Sequence, residues 1–232
     1  MAQNGIHGLV GLAASRLAGD RGAFRFGVVL GNIAPDLDLI PLALLYLFNR
    51  DLALSMHRTF THSLVTAAAV ALAAAWLGRR GGRGLRARWI GVGLAAGIVM
   101  HGSLDALVWF TPVDLGWPLH LLGLPARVDL WAGYRPPGRV NSYLGAADYL
   151  AYAVYLSTLG IMARRHATDQ AFVPALRRWV IVFSALFVVY MALARLLSPQ
   201  AFTVVHYGPF SLAWVPLIVW VSVRMRATIE AA

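Results

Sequence analysis

The chain contains no cysteine and no lysine, and its only glutamate is Glu230. The missing cysteine excludes disulfide staples, thiolate metal sites and a cysteine nucleophile. Charge is scarce altogether: 13% of the 232 residues are charged, about half of the roughly 25% usual in soluble domains. So few charges cannot coat an ordinary soluble globule, while a 59% hydrophobic content excludes a disordered chain. All 20 basic residues are arginine against 10 acids, a formal net charge of +10. That balance alone suits nucleic acid or an anionic membrane, and the positions of the arginines decide between them.

Apolar runs are what the chain has in plenty. A bilayer-spanning helix takes roughly 20 mostly apolar residues, and residues 26–48, 89–110, 148–163, 179–197 and 209–223 reach or approach that length. A sixth run at 63–78 and a shorter one at 6–18 bring the expectation to six or seven helices. The N-terminal run does not read as a signal peptide, because it lacks a basic start and His7 interrupts it. The expected fold is all-α, a polytopic transmembrane helix bundle in one domain over 1–232. Its second helix is expected to be broken by Pro35 and Pro41. Residues 1–112 carry the polar motifs, 113–147 form an outer loop region, and 148–232 supply three C-terminal transmembrane helices.

The arginines give this bundle an orientation. Arg16, Arg21 and Arg25, then Arg79, Arg80, Arg83, Arg86 and Arg88, then Arg164, Arg165, Arg177 and Arg178, and finally Arg224 and Arg226 occupy alternate connections. Such alternation is expected of the cytoplasmic side, so the C-terminus is expected inside and residues 112–147 outside. The run 79–88 is glycine-rich and lacks interleaved aromatics, which suits a loop against anionic headgroups and argues against nucleic acid.

Ionisable groups inside apolar runs are costly and mark function by default. Asp36 and Asp38 lie in Gly31-Asn32-Ile33-Ala34-Pro35-Asp36-Leu37-Asp38. Residues two apart diverge on a regular helix, whereas a local break lets both carboxylates converge on one cation. The plainer alternative is a kinked helix whose aspartates pair with arginines. In His57-Arg58-Thr59-Phe60-Thr61-His62-Ser63, the two histidines face one cavity only if the chain turns between them. Ser63 or Thr61 can cap the following helix, whose first amides then suit an anion. Arg58 adds a planar fork for phosphate or carboxylate. Against this stands a plain interfacial loop with snorkelling polar groups. His101 and Asp105, four apart, share a helix face at the spacing of paired metal ligands, or else merely satisfy each other. His7 alone reads as packing.

Counting about 1.5 Å per residue from the arginine-rich ends places His7, Asp36, Asp38, His57, His62, His101 and Asp105 in the same outer half of the bilayer. A cysteine-free His/Asp set suits zinc, manganese or iron better than magnesium. These donors exceed the needs of one tetrahedral ion. Two ions bridged by an aspartate use them better, an arrangement typical of phosphoester and amide hydrolysis. Arg58 then holds a substrate phosphate, and Asp36 or Asp38 is the candidate general base.

An N-terminal histidine, Pro-Asp-x-Asp, His-Arg-x-x-Thr-His-Ser and His-x-x-x-Asp occur in that order through residue 112. This half of the chain resembles the bacterial membrane-bound metal-dependent hydrolases, the YdjM-like inner-membrane proteins. The resemblance implies His7, Asp36, Asp38, His57, His62, His101 and Asp105 as the metal set, with Arg58 and Ser63 beside it as functional residues. It also implies a distant similarity to soluble zinc-dependent phospholipase C, and hence a lipid or lipid-linked phosphoester as substrate. Beyond about Ala126 no motif aligns. Asp148 is a candidate for a family acidic residue at the next helix, and His120 and Asp129 could approach the site. His206 is expected in an outer loop, and His166 lies on the cytoplasmic side. A different class keeps the same cluster as the transit site of a divalent-cation transporter or channel. A third is a noncatalytic assembly factor. The absence of a visible inverted repeat and the presence of Arg58 among cation ligands favour the hydrolase.

Overall fold

A computed structural model of the chain describes residues 4–19, 21–79, 84–108, 110 and 112–232, apart from the side chains of Arg50, Leu54 and His120. Arg80 and Arg83 therefore lie outside the described residues. The helices follow in the order α1 (Asn4–Ser15), α2 (Gly22–Ile33), α3 (Leu39–Tyr46), α4 (Arg50–Met56), α5 (Leu64–Leu77), α6 (Gly84–Val108), α7 (Gly138–Arg165), α8 (Val173–Leu196), α9 (Pro199–Pro209), α10 (Val215–Arg224) and α11 (Arg226–Ala231). Among the described residues the extended structure is one isolated bridge, Val113 to Val128.

Among the described residues, five helical segments are long and apolar enough to cross a membrane: Gly22–Tyr46, Gly84–Val108, Gly138–Arg165, Gln170–Leu196 and Pro199–Arg224. Leu64–Leu77 is apolar but shorter. With 12 residues, α1 extends roughly 18 Å, short of the roughly 30 Å hydrocarbon layer. The first crossing segment runs through Pro35 and tightens to a 3-10 turn over Ala34–Asp38.

Two boundaries differ from the sequence reading. The last crossing segment begins at Pro199, where the Ser198 side chain accepts from Ala201 N at 3.2 Å. Pro209 stays within the helix: the Val205 carbonyl that it leaves without an N–H accepts from Tyr190 Oη at 3.3 Å, and a π turn, Phe210–Trp214, follows. Helix α7 starts at Gly138, well before Asp148, and takes the end of the expected outer loop.

Glycines set the central contact. Gly27 and Gly31 of α2 face Gly93 and Gly97 of α6 so closely that a Cβ on Gly31 would overlap the Leu94 carbonyl, and one on Gly97 the Val28 carbonyl. Small residues at this spacing let membrane helices approach backbone to backbone, and here they bring the Asp36 turn beside His101. The C-terminal half packs around Tyr149, Tyr152, Phe183, Phe202 and Phe210.

The arginine-bearing connections meet at one end of the bundle. Arg86 and Arg226 both pair with Glu230, at 2.6 and 2.7 Å. Arg21 lies 4.5 Å from the Trp89 ring centre, and Asp169 accepts from Thr228 N at 2.9 Å. At the other end, residues 113–128 fold over the turn before α5: Asp114 N donates to Arg58 O at 3.0 Å and Leu64 N to Leu115 O at 2.8 Å.

Candidate metal centre

The 3-10 turn after α2, the turn before α5, the middle of α6 and the start of α1 converge on one buried cluster. His7, Asp36, His62, His101 and Asp105 are all fully buried there. His101 Nδ1 donates to the Asn32 carbonyl at 2.9 Å, which places the lone pair on Nε2 and aims it inward. That atom lies 3.0 Å from His62 Nε2 and 3.6 Å from Asp36 Oδ1. His62 Nε2 in turn lies 3.7 Å from Asp36 Oδ1 and 3.7 Å from Asp105 Oδ2. Two ligands on a tetrahedral zinc at about 2.0–2.1 Å stand roughly 3.3 Å apart, and these separations bracket that value.

Buried atoms without partners point the same way. Asp36 Oδ1 has no hydrogen-bond partner among the described residues, although Asp36 Oδ2 accepts from Asn4 Nδ2 at 3.1 Å. An unsatisfied carboxylate oxygen at full burial is costly. Among the described residues, two groups of donors are close enough to hold an ion, Asp36–His62–His101 and His7–His101–Asp105. An imidazole Nε2 has one lone pair, so His101 can serve only one of them at a time. His7 Nε2 meets Asp105 Oδ1 at 3.1 Å, and its ring stacks on that of His101 at 3.8 Å.

Asp36 and Asp38 take opposite sides of one ring. Asp36 faces His62 Nε2, while Asp38 Oδ2 lies 3.8 Å from His62 Nδ1 and accepts from Thr61 Oγ1 at 2.9 Å. Asp38 also meets His57 Nδ1 at 3.2 Å. The structure thus brings together five of the expected donors and sets Asp38 and His57 beside them as a separate pair. Burial pushes the His62 imidazole down against the raising pull of Asp36.

Arg58 is buried, with its backbone in the left-handed region at φ 65°, a strained conformation for a non-glycine residue. Its Nε stands 2.7 Å from Asp105 Oδ2, but neither atom has a hydrogen-bond partner among the described residues. The contact is therefore one of charge, with the N–H directed elsewhere. Arg58 Nη2 is likewise buried without a hydrogen-bond partner among them. Ser63 lies apart from the donors: its hydroxyl accepts from Thr66 N at 3.0 Å and donates to Phe60 O at 3.1 Å, capping α5. The expected anion site at the start of α5 meets a correction here, since Leu64 N and Thr66 N already have acceptors.

Other positions named from sequence fall as follows. Asp148 caps α1, accepting from Gly5 N at 3.0 Å. Asp129 turns into its own loop, accepting from Trp131 N at 3.2 Å and Gly133 N at 3.3 Å. The His120 side chain lies outside the described residues. His206 sits in α9 rather than in a loop, buried against Phe202 and Phe210. Sequence reasoning assigned no role to Asn4 and Asn32. Asn32 joins two elements of the site through its carbonyl on His101 and its Nδ2, which donates to His7 O at 2.8 Å. An asparagine within an apolar run was the signal for it.

A bundle of apolar helices around a buried His/Asp cluster defines an integral membrane protein with a polar centre. The chain belongs to the YdjM inner membrane protein family, which it matches over residues 1–228. No curated protein and no solved structure matches it.

Proposed function

We propose that the chain is an integral-membrane, metal-dependent hydrolase that cleaves a phosphoester in a lipid or lipid-linked substrate. One observation carries this reading: Asp36 Oδ1, His62 Nε2 and His101 Nε2 stand 3.0–3.7 Å apart beside an arginine whose Nη2 has no hydrogen-bond partner. Asp36, His62 and His101 would hold one divalent ion, zinc first, with manganese or iron suited to the same donors. Asp105 directs one oxygen toward His62 and the other toward His7, which suits it to bridge to a second ion. Bound metal lowers the pKa of water and polarises a phosphoryl oxygen.

The chain's own groups do the rest. Arg58 binds the substrate phosphate through its free guanidinium edge. Asp38, outside the donor trio and paired to His57, is the carboxylate left to accept a proton as general base. Full burial of the donors excludes bulk water and strengthens each charge interaction. The parallel with zinc-dependent phospholipase C supports the choice of a phosphoester. We read six or seven membrane-associated helices with the Pro35 turn as the break in the second. We also place the C-terminus in the cytoplasm and the cluster toward the outer leaflet, on the arginine alternation.

The full burial of all five donors also suits an occluded cation in transit through a transporter. The deciding experiment measures metal stoichiometry in detergent and assays wild type, His62→Ala, Asp105→Ala and Arg58→Gln on phospholipids and phosphodiesters. Bound metal, with turnover lost in all three variants, is expected. A metal-free wild type, or hydrolysis that survives His62→Ala and Asp105→Ala, overturns the reading. Metal uptake into proteoliposomes without turnover selects the transporter. A reporter fused after Ala232 should score cytoplasmic.

A further inference from the structure

We propose that the groove between α7 and α8, at the arginine-rich end, binds one anionic phospholipid, its phosphate between Arg164 and Arg177 and an acyl chain along Gly160. The groove has a volume of about 410 Å³ and is lined by Leu156, Gly160, Leu176 and Val180, with the two arginines beside them. Arg164 lies in the last turn of α7 and Arg177 near the start of α8. The two helices form a hairpin, so both cations stand at one end. The apolar wall runs away from them, with Leu156 about two turns, or roughly 12 Å, deeper than Arg164.

Gly160 opens the slot. A Cβ there would meet only Leu176 Cδ1, at 3.8 Å, in contrast to the glycines that clamp α2 to α6. Arg164 Nε donates to the Gly160 carbonyl at 3.3 Å, which holds the side chain over the mouth and leaves the Nη groups for a ligand. No acid lines the groove. A cationic mouth above an apolar slot complements both parts of a phospholipid, whereas a free phosphate makes no use of the slot and a neutral lipid none of the arginines. Basic pockets between transmembrane helices recognise anionic headgroups in this way, the arginine stems covering apolar surface while their heads reach the phosphate. This lipid sits at the end of the bundle opposite the fold of residues 113–128, and nothing in its binding depends on the hydrolase reading.

The test is native mass spectrometry of the full chain from micelles containing equal phosphatidylglycerol and phosphatidylcholine. Wild type should retain phosphatidylglycerol selectively. Arg164→Gln with Arg177→Gln should lower that retention roughly tenfold, and Gly160→Leu, which fills the slot, should lower it comparably. Arg135→Gln should leave it unchanged. Unaltered helical circular dichroism in the variants assigns the loss to the groove. Equal retention of both lipids by wild type overturns the proposal, as does undiminished phosphatidylglycerol in either groove variant.

Discussion

Asp148 of α7 accepts the backbone N–H groups of Gly5 at 3.0 Å and Ile6 at 3.4 Å, so the helix that carries His7 begins on a carboxylate supplied from elsewhere in the chain. The first amides of a helix have no partner of their own, and a negative charge there is favourable. Asp148→Ala should cost about 1–2 kcal/mol and weaken metal retention through displacement of His7. Asp148→Asn keeps an acceptor and should fall between. Thermal unfolding in detergent, read beside metal content, checks both; an unchanged Asp148→Ala would sever α7 from the site.

The α2–α6 contact sets the Asp36 turn against His101 through a close glycine approach. Gly31→Ala would drive a methyl into the Leu94 carbonyl and should destabilise by about 1–3 kcal/mol, spreading Asp36 from His101. Gly160→Ala, whose new methyl would meet only Leu176 Cδ1 at 3.8 Å, should instead gain up to about 1 kcal/mol from helix propensity. The opposite signs separate packing from propensity in one unfolding series.

Ser63 lies in the histidine motif, yet its hydroxyl is taken by the cap of α5. Ser63→Ala should lose about 1 kcal/mol of stability with hydrolytic turnover retained at conditions where the variant is folded. Ser63→Asp, which can still cap, should restore the unfolding temperature. Turnover abolished in a folded Ser63→Ala would assign the hydroxyl to chemistry.

Glu230 gives the arginine-rich end a pH dependence. Burial pushes its carboxyl up, but hydrogen bonds from Arg86 and Arg226 outweigh this and hold it below its ordinary value of 4.5. The unfolded chain therefore takes up this proton first, so the stabilisation is whole above pH 4.5 and is lost as pH falls through the depressed value. Arg86 is 57% exposed, which keeps the contribution under about 1 kcal/mol. Glu230→Gln should flatten the acid limb of an unfolding-versus-pH curve, and added salt should do the same to wild type.

The membrane character was legible because the cost of burying charge leaves a pattern along the chain: long apolar runs, and most of the arginines gathered in alternate connections. That His101 and Asp105 face the same cluster was legible for a local reason, since residues four apart share a helix face. What escaped depends on partners distant in sequence. Asp148 gives no local sign that it caps α1, and Asn32, though conspicuous as a polar residue in an apolar run, gives none that its carbonyl takes His101. The amides at the start of α5 looked free until Leu115 came over them from the following loop. Pro209 read as a boundary because a proline removes a helix hydrogen bond, and nothing local shows that Tyr190 Oη donates to the Val205 carbonyl in its place. His206 was consequently placed in a loop.

The complete burial of His7, Asp36, His62, His101 and Asp105 has a kinetic meaning. With no donor at the surface, a metal held there as proposed would exchange only as fast as the helices part, against the close glycine contact between α2 and α6. Occupancy in a preparation should then record the metals present while the protein was being inserted, more than those in the final buffer. A brief chelator wash measures the breathing of the bundle rather than affinity, and cells grown in different metals should yield protein that still differs after identical purification.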